Sequence, residues 1–162
     1  MAFTIHLLVV ANRTVDSPEL LEAIRERAGR GPVRATLLVP CAWSERPDAE
    51  ARVQGAVEAL AAMGVPAEGL LGDSDPIVAV QEAWNPGRYD EVVVSTLTEG
   101  SSQWLQIDLP HRVAKLTDCQ VRHVAVPLRR PAARVAAPAP APKGRLESLL
   151  SLMRSATRRR AA

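Results

Sequence analysis

Residues 3–11 read FTIHLLVVA, an apolar run rich in β-branched residues and without the polar alternation of a strand that has one wet face. Such a run fits a strand buried on both sides, and a sheet buried on both sides needs helices above and below it. The rest of the chain supplies them in alternation. Ser17-Pro18-Glu19 reads as a helix start: Ser17 caps, Pro18 suits the first helical position, and Glu19 complements the helix dipole. Leu20, Leu21, Ile24 and Ala28 then fall on one face, with Gly29 as the expected left-handed stop. RATLLVP, centred on residues 36–39, reads as a second buried strand. Residues 48–63 read as a helix ending at Gly64, with Val53, Val57, Leu60 and Ala61 spaced to bury one stripe.

The third strand is marked least clearly. VPAEGLLG carries Pro66 and Gly69 and only Leu70 and Leu71 as strong strand formers, which predicts a short, irregular strand at or near a sheet edge. Asp73-Ser74-Asp75-Pro76 opens another helix, running through Ile77, Val78, Val80 and Ala83 to Trp84, where Asn85-Pro86-Gly87 breaks it. Residues 91–94 form the fourth strand, Asp108-Leu109-Pro110 starts a helix through Val113 and Leu116, and VRHVAV at 121–126 is the fifth strand. Five strands alternating with four helices predict an α/β fold, because parallel neighbours need crossover helices. The expected architecture is a single doubly wound five-stranded parallel sheet, order 3-2-1-4-5, with helices on both faces.

The remainder of the chain differs in kind. Residues 1–127 hold this α/β domain, residues 128–143 read as a Pro/Ala-rich linker, and residues 144–162 as a basic amphipathic helical tail. The linker extends roughly 40–50 Å at ~3.1 Å per residue. From Pro127 onward there are nine basic residues and one acid, out of 20 and 18 in the whole chain, so the body carries −6 and the remainder +8. Leu146, Leu149, Leu150 and Met153 make a helical stripe among arginines, and a helix this short needs a surface to bury it. The occupants it suits are the acidic body, a protein partner or an anionic membrane surface; nucleic acid ranks last, because no aromatics are interleaved with the charge.

Aromatics make up 3% of the chain, so the core is expected to be aliphatic. Two cysteines, Cys41 and Cys119, and no export leader predict a reduced, cytoplasmic protein; no apolar run reaches the ~18–20 residues of a transmembrane helix.

In open parallel sheets, ligands sit beyond the carboxyl ends of the strands where the strand order reverses. In the order 3-2-1-4-5 the loops after strands one and four flank that crevice. This selects Asn12, Arg13, Thr14, Ser95, Thr96, Gly100, Ser101 and Ser102 as ligand-binding candidates. No catalytic set joins them. His111 near serines lacks the G-x-S-x-G elbow, and the histidines lack metal-ligand spacing. The segment after strand one has neither the G-x-G-x-x-G of a dinucleotide site nor the acidic pair of a phosphate-accepting receiver. Asp108-Leu109-Pro110 reads most simply as a helix start.

The strand and helix order, the GDSDP segment at residues 72–76, and the strand, small-residue loop, helix and VRHVAV together resemble the universal stress protein family, of adenine-nucleotide α-hydrolase-like fold, over about residues 3–126. In nucleotide-binding members strand one ends in aspartate with Ser or Thr two positions later. Strand four leads into glycine, two residues, glycine, nine residues, then glycine and Ser or Thr. Asn12 and Thr14 stand at the first pattern; Ser95, Thr98, Asp108 and Leu109 stand at the three glycines and final hydroxyl of the second. All three glycines are replaced, and with them the backbone freedom that lets such a loop approach phosphate.

The resemblance therefore implies a non-catalytic regulatory or binding protein with an altered or vestigial nucleotide crevice and no certain cofactor. The alternative it implies is a binder of ATP or another adenine nucleotide, or a slow ATPase, that uses Gly100, Ser101 and Ser102 for the phosphates. A second alternative is an adaptor acting through the basic terminal helix. The resemblance further implies a homodimer, with residues 121–126 as the edge strand that pairs across it.

Overall fold

The computed structural model describes residues 3–98 and 102–128. Gly100, Ser101, the linker beyond Leu128 and the basic terminal segment lie outside the described residues. Strands β1 (Ile5–Val10), β2 (Val33–Pro40), β3 (Ala67–Gly72), β4 (Glu91–Leu97) and β5 (Val121–Val126) form one sheet. Its order is β3-β2-β1-β4-β5, and every pairing is parallel. Helices α1 (Pro18–Ala28), α2 (Arg46–Ala62), α3 (Pro76–Ala83) and α5 (Leu109–Thr117) alternate with the strands, and the single turn α4 (Gln103–Gln106) precedes α5.

The continuous apolar run of β1 has a direct structural reason. Leu7 and Val9 face one core, with Leu20 and Ile24 of α1 and Val53 and Leu60 of α2. Leu8 and Val10 face the other, with Val80 of α3 and Leu109 and Val113 of α5. Successive residues of a strand point to opposite faces, so a strand covered on both sides has no polar alternation.

The helix starts follow the capping chemistry. Ser17 Oγ accepts from Leu20 N at 3.3 Å, and Asp75 Oδ1 accepts from Ile77 N at 2.8 Å and from Val78 N at 3.4 Å, each with proline next in sequence. The stops divide. Gly64 takes the left-handed conformation expected of it, φ 77°, whereas Gly29 ends α1 right-handed at φ −65°. The chain therefore leaves α1 without reversing there, and the positive φ falls at Gly31 instead. Helix α2 begins two residues earlier than its sequence signal, behind a 3₁₀ turn at Trp43–Glu45, with Pro47 in its first turn.

β3 is a full six-residue strand at the sheet edge, and its glycines are set by packing. A Cβ on Gly69 would lie 2.1 Å from Val53 Cγ1, and one on Gly72 would lie 2.7 Å from Ala79 Cβ and 3.0 Å from Leu38 Cδ1. Helices α2 and α3 thus approach the edge strand closely because it has no side chain at those positions. β4 runs three residues beyond its expected end, which places Ser95 and Thr96 inside the strand. No helix among the described residues is long and apolar enough to cross a membrane.

Candidate functional site

The strand order reverses between β1 and β4, and the crevice opens beyond their carboxyl ends. β1 pairs with β4 from Leu7 opposite Glu91 to Val10 opposite Val94; the same offset continued places Ala11 beside Ser95. Asn12, Arg13 and Thr14 lead off β1 and return toward α1 through a turn in which Val15 N donates to Asn12 O at 3.2 Å.

Thr14 is buried, and its hydroxyl donates to the backbone carbonyl of Ser95 at 3.3 Å, which ties the end of β1 to β4 across the crevice. Asn12 is half-buried and its Oδ1 accepts from Nη2 of Arg52 at 3.3 Å. Thr96 Oγ1 bonds the Nε2 of His123 on β5 at 2.8 Å. Arg13 is exposed and makes no ion pair with any described residue. Ser102 is half-buried at the start of α4 and makes no capping hydrogen bond with its side chain. Ser95 itself is 1% exposed, yet its hydroxyl has no hydrogen-bond partner.

The structure thus brings Asn12, Thr14, Ser95 and Thr96 to the crevice and uses the polar groups of three of them internally. Gly100 and Ser101 lie outside the described residues. The residue the sequence did not single out is Arg52, one position before buried Val53 on α2. Its guanidinium reaches the end of β1, while its Nε is buried without a partner. An arginine on a helix surface carries no periodic signal that tells a solvated side chain from one folded inward; only the placement of α2 over β2 and β3 brings it to the end of β1.

A phosphate cradle after β4 requires free backbone N–H groups. Here β4 stays in register with β5 through Leu97 opposite Val126, and Thr98 N donates to Val126 O at 2.9 Å. The described part of the segment is therefore sheet rather than loop. Asp108, at the position of the last family glycine, precedes α5 in the left-handed conformation at φ 49° without a side-chain cap bond. The described residues do not fit a backbone-wrapped triphosphate; the Ser95 hydroxyl and the Nε groups of Arg46 and Arg52 are buried without a hydrogen-bond partner. Among the described residues no group of three or more His, Cys, Asp or Glu side chains stands together as a metal site.

Fold and topology define an open parallel α/β protein whose strand order reverses between β1 and β4. Solved structures of this class align with the chain over most of its length. A universal stress protein from Archaeoglobus fulgidus aligns at TM-score 0.56 and 12% identity, covering 74% of this chain and 93% of that one. The universal stress protein from the same organism in complex with dAMP aligns at TM-score 0.54 and 14% identity, covering 76% and 99%. No family model matches the sequence, and no curated protein does. The chain has a universal-stress-protein-like α/β fold with a parallel sheet.

Proposed function

We propose that this chain is a non-catalytic, universal-stress-like regulatory protein whose crevice is an altered nucleotide site. The observation that carries the reading is the extension of β4: the segment that would wrap phosphate is hydrogen-bonded into the sheet as far as Thr98 N–H. The Thr14 hydroxyl, bonded to the Ser95 carbonyl, supports it by closing the floor of the crevice. The dAMP complex of a structural neighbour keeps adenine nucleotides as the ligand class to test. A homodimer paired along the outer edge of β5, the last strand of the sheet, is part of the same proposal.

Native mass spectrometry of freshly purified protein, followed by titration with ATP, ADP and AMP, tests both points. The expected result is a dimer without retained ATP and without hydrolysis. Stoichiometric ATP carried through purification would overturn the altered-crevice reading, and a monomer at micromolar concentration would overturn the pairing along β5.

A further inference from the structure

We propose that the outer edge of β3 is a self-association surface, on which a second copy of this chain adds its own β3 antiparallel, centred on Leu70. β3 closes the sheet on the side away from β5, so this contact is independent of pairing along β5, and the two together extend the assembly past a dimer.

β3 pairs with β2 alone, and its register is unbroken from Ala67 opposite Ala35 to Gly72 opposite Pro40. In a parallel pair, alternate residues turn their backbone groups toward the neighbour. Ala35 N donates to Pro66 O at 2.9 Å, so Glu68, Leu70 and Gly72 bond β2, while Ala67, Gly69 and Leu71 hold their N–H and C=O groups outward. No described residue bonds the outward groups of Gly69 and Leu71. Soluble proteins blunt such an edge with proline, a bulge, or charges projecting over it. β3 has neither proline nor bulge. Its single ionised side chain, Glu68, is turned back over the sheet: Thr36 Oγ1 on β2 donates to Glu68 Oε1 at 2.9 Å, and Arg88 Nη2 donates to the same oxygen. Leu70, between the two free residues, is 41% exposed.

Another extended strand satisfies such an edge, and charge together with apolar contact selects a twofold copy of β3 in one register. Centred on Glu68, the pair sets two carboxylates opposite each other; centred on Gly69, it sets each carboxylate against the partner's Leu70. Centred on Leu70, Gly69 and the partner's Leu71 exchange both backbone bonds, as do Leu71 and the partner's Gly69. The two Leu70 side chains then meet in the closely spaced pair between them, which covers the exposed leucine with its own twin. Each Glu68 falls opposite the partner's Gly72, which brings no side chain against the carboxylate. The contact is small, so it is weak and fills above the micromolar range in which pairing along β5 is measured.

Cysteine trapping on the full-length chain tests the register. In a Cys119→Ser background, where Cys41 is buried, Leu70→Cys sets two thiols across the twofold at a Cα separation of about 4.5 Å, inside the ~4.4–6.8 Å that a disulfide spans. Diamide, which oxidises a thiol pair, is expected to link Leu70→Cys chains roughly tenfold or more faster than Phe3→Cys chains, whose site is 72% exposed and lies before the central strand. Sedimentation velocity from micromolar to millimolar protein is expected to show association that Leu70→Lys weakens roughly tenfold or more, because like charges then face each other. Thermal unfolding of each variant confirms that it folds. A mass that does not grow with concentration, equal linking rates at the two sites, or association unchanged in Leu70→Lys overturns the inference. Loss of the larger species in Leu70→Lys with a dimer left intact supports it and leaves the pairing along β5 standing. Loss of all association in that variant supports it and removes the pairing along β5.

Discussion

Ser95 carries, at the scale of one residue, a polar group that the fold buries without using. Its hydroxyl is buried without a partner, so Ser95→Ala removes an unsatisfied group and is expected to leave stability unchanged or raise it by up to ~1 kcal/mol in urea unfolding. Thr14→Val behaves in the opposite sense. It keeps the shape, deletes the bond to the Ser95 carbonyl, leaves a buried acceptor short, and is expected to cost about 1 kcal/mol in the same assay. If Ser95→Ala were the more damaging of the two, the hydroxyl would have a protein partner after all. Gly69 is a third case. Ala at this position would meet Val53 Cγ1 at 2.1 Å, and valine has little χ1 freedom to move aside. We expect Gly69→Ala to cost about 1–3 kcal/mol, and Val53→Ala in the same chain to recover part of that, which a double-mutant cycle measures.

Among the elements, the buried strands were legible from their apolar runs and the starts of α1 and α3 from their capping residues, whereas the end of β4 was not. Ser17-Pro18 and Asp75-Pro76 announce α1 and α3 because a side-chain oxygen and a residue without an N–H serve the first helical turn and little else. Asp75→Ala is expected to cost about 1 kcal/mol, since two backbone N–H groups lose their acceptor. The end of β4 had no such mark. Ser95, Thr96 and Thr98 are as much at home in a strand as in a loop, and their pairing with β5 decides which they join. Arg52 was illegible for the same reason, since its role depends on which strand α2 crosses. The family pattern drew attention to this segment, and the pairing of β4 with β5 decides the conformation of its first residues. Asp118 adds a prediction of its own. It ends α5 left-handed at φ 49°, a conformation that penalises a side chain, so Asp118→Gly is expected to stabilise by about 1 kcal/mol in thermal or urea unfolding.

At the scale of the whole molecule, the described residues within 3–128 hold the sheet and its two cores, and the nine basic residues beyond them lie outside the described residues. The charge of the chain is +2, and ending it at Leu128 leaves −6. Such a chain keeps every strand of the sheet and is expected to unfold cooperatively, while losing binding to vesicles of anionic lipid that the full chain retains in low salt. A shortened chain that still bound those vesicles would rule out a membrane-anchoring role for the basic segment. The sheet carries a further consequence, one of time. β1 and β2 are joined through one helix, whereas β1 and β4, with Leu7 opposite Glu91, are brought together only after two more strands and three helices have been traversed. Contacts between residues distant in the chain form late, because closing the longer loop comes first. The crevice lies on that late-closing seam, so a molecule seated across it holds together contacts that the folding transition state lacks. Such a ligand slows unfolding and leaves the rate of folding almost untouched.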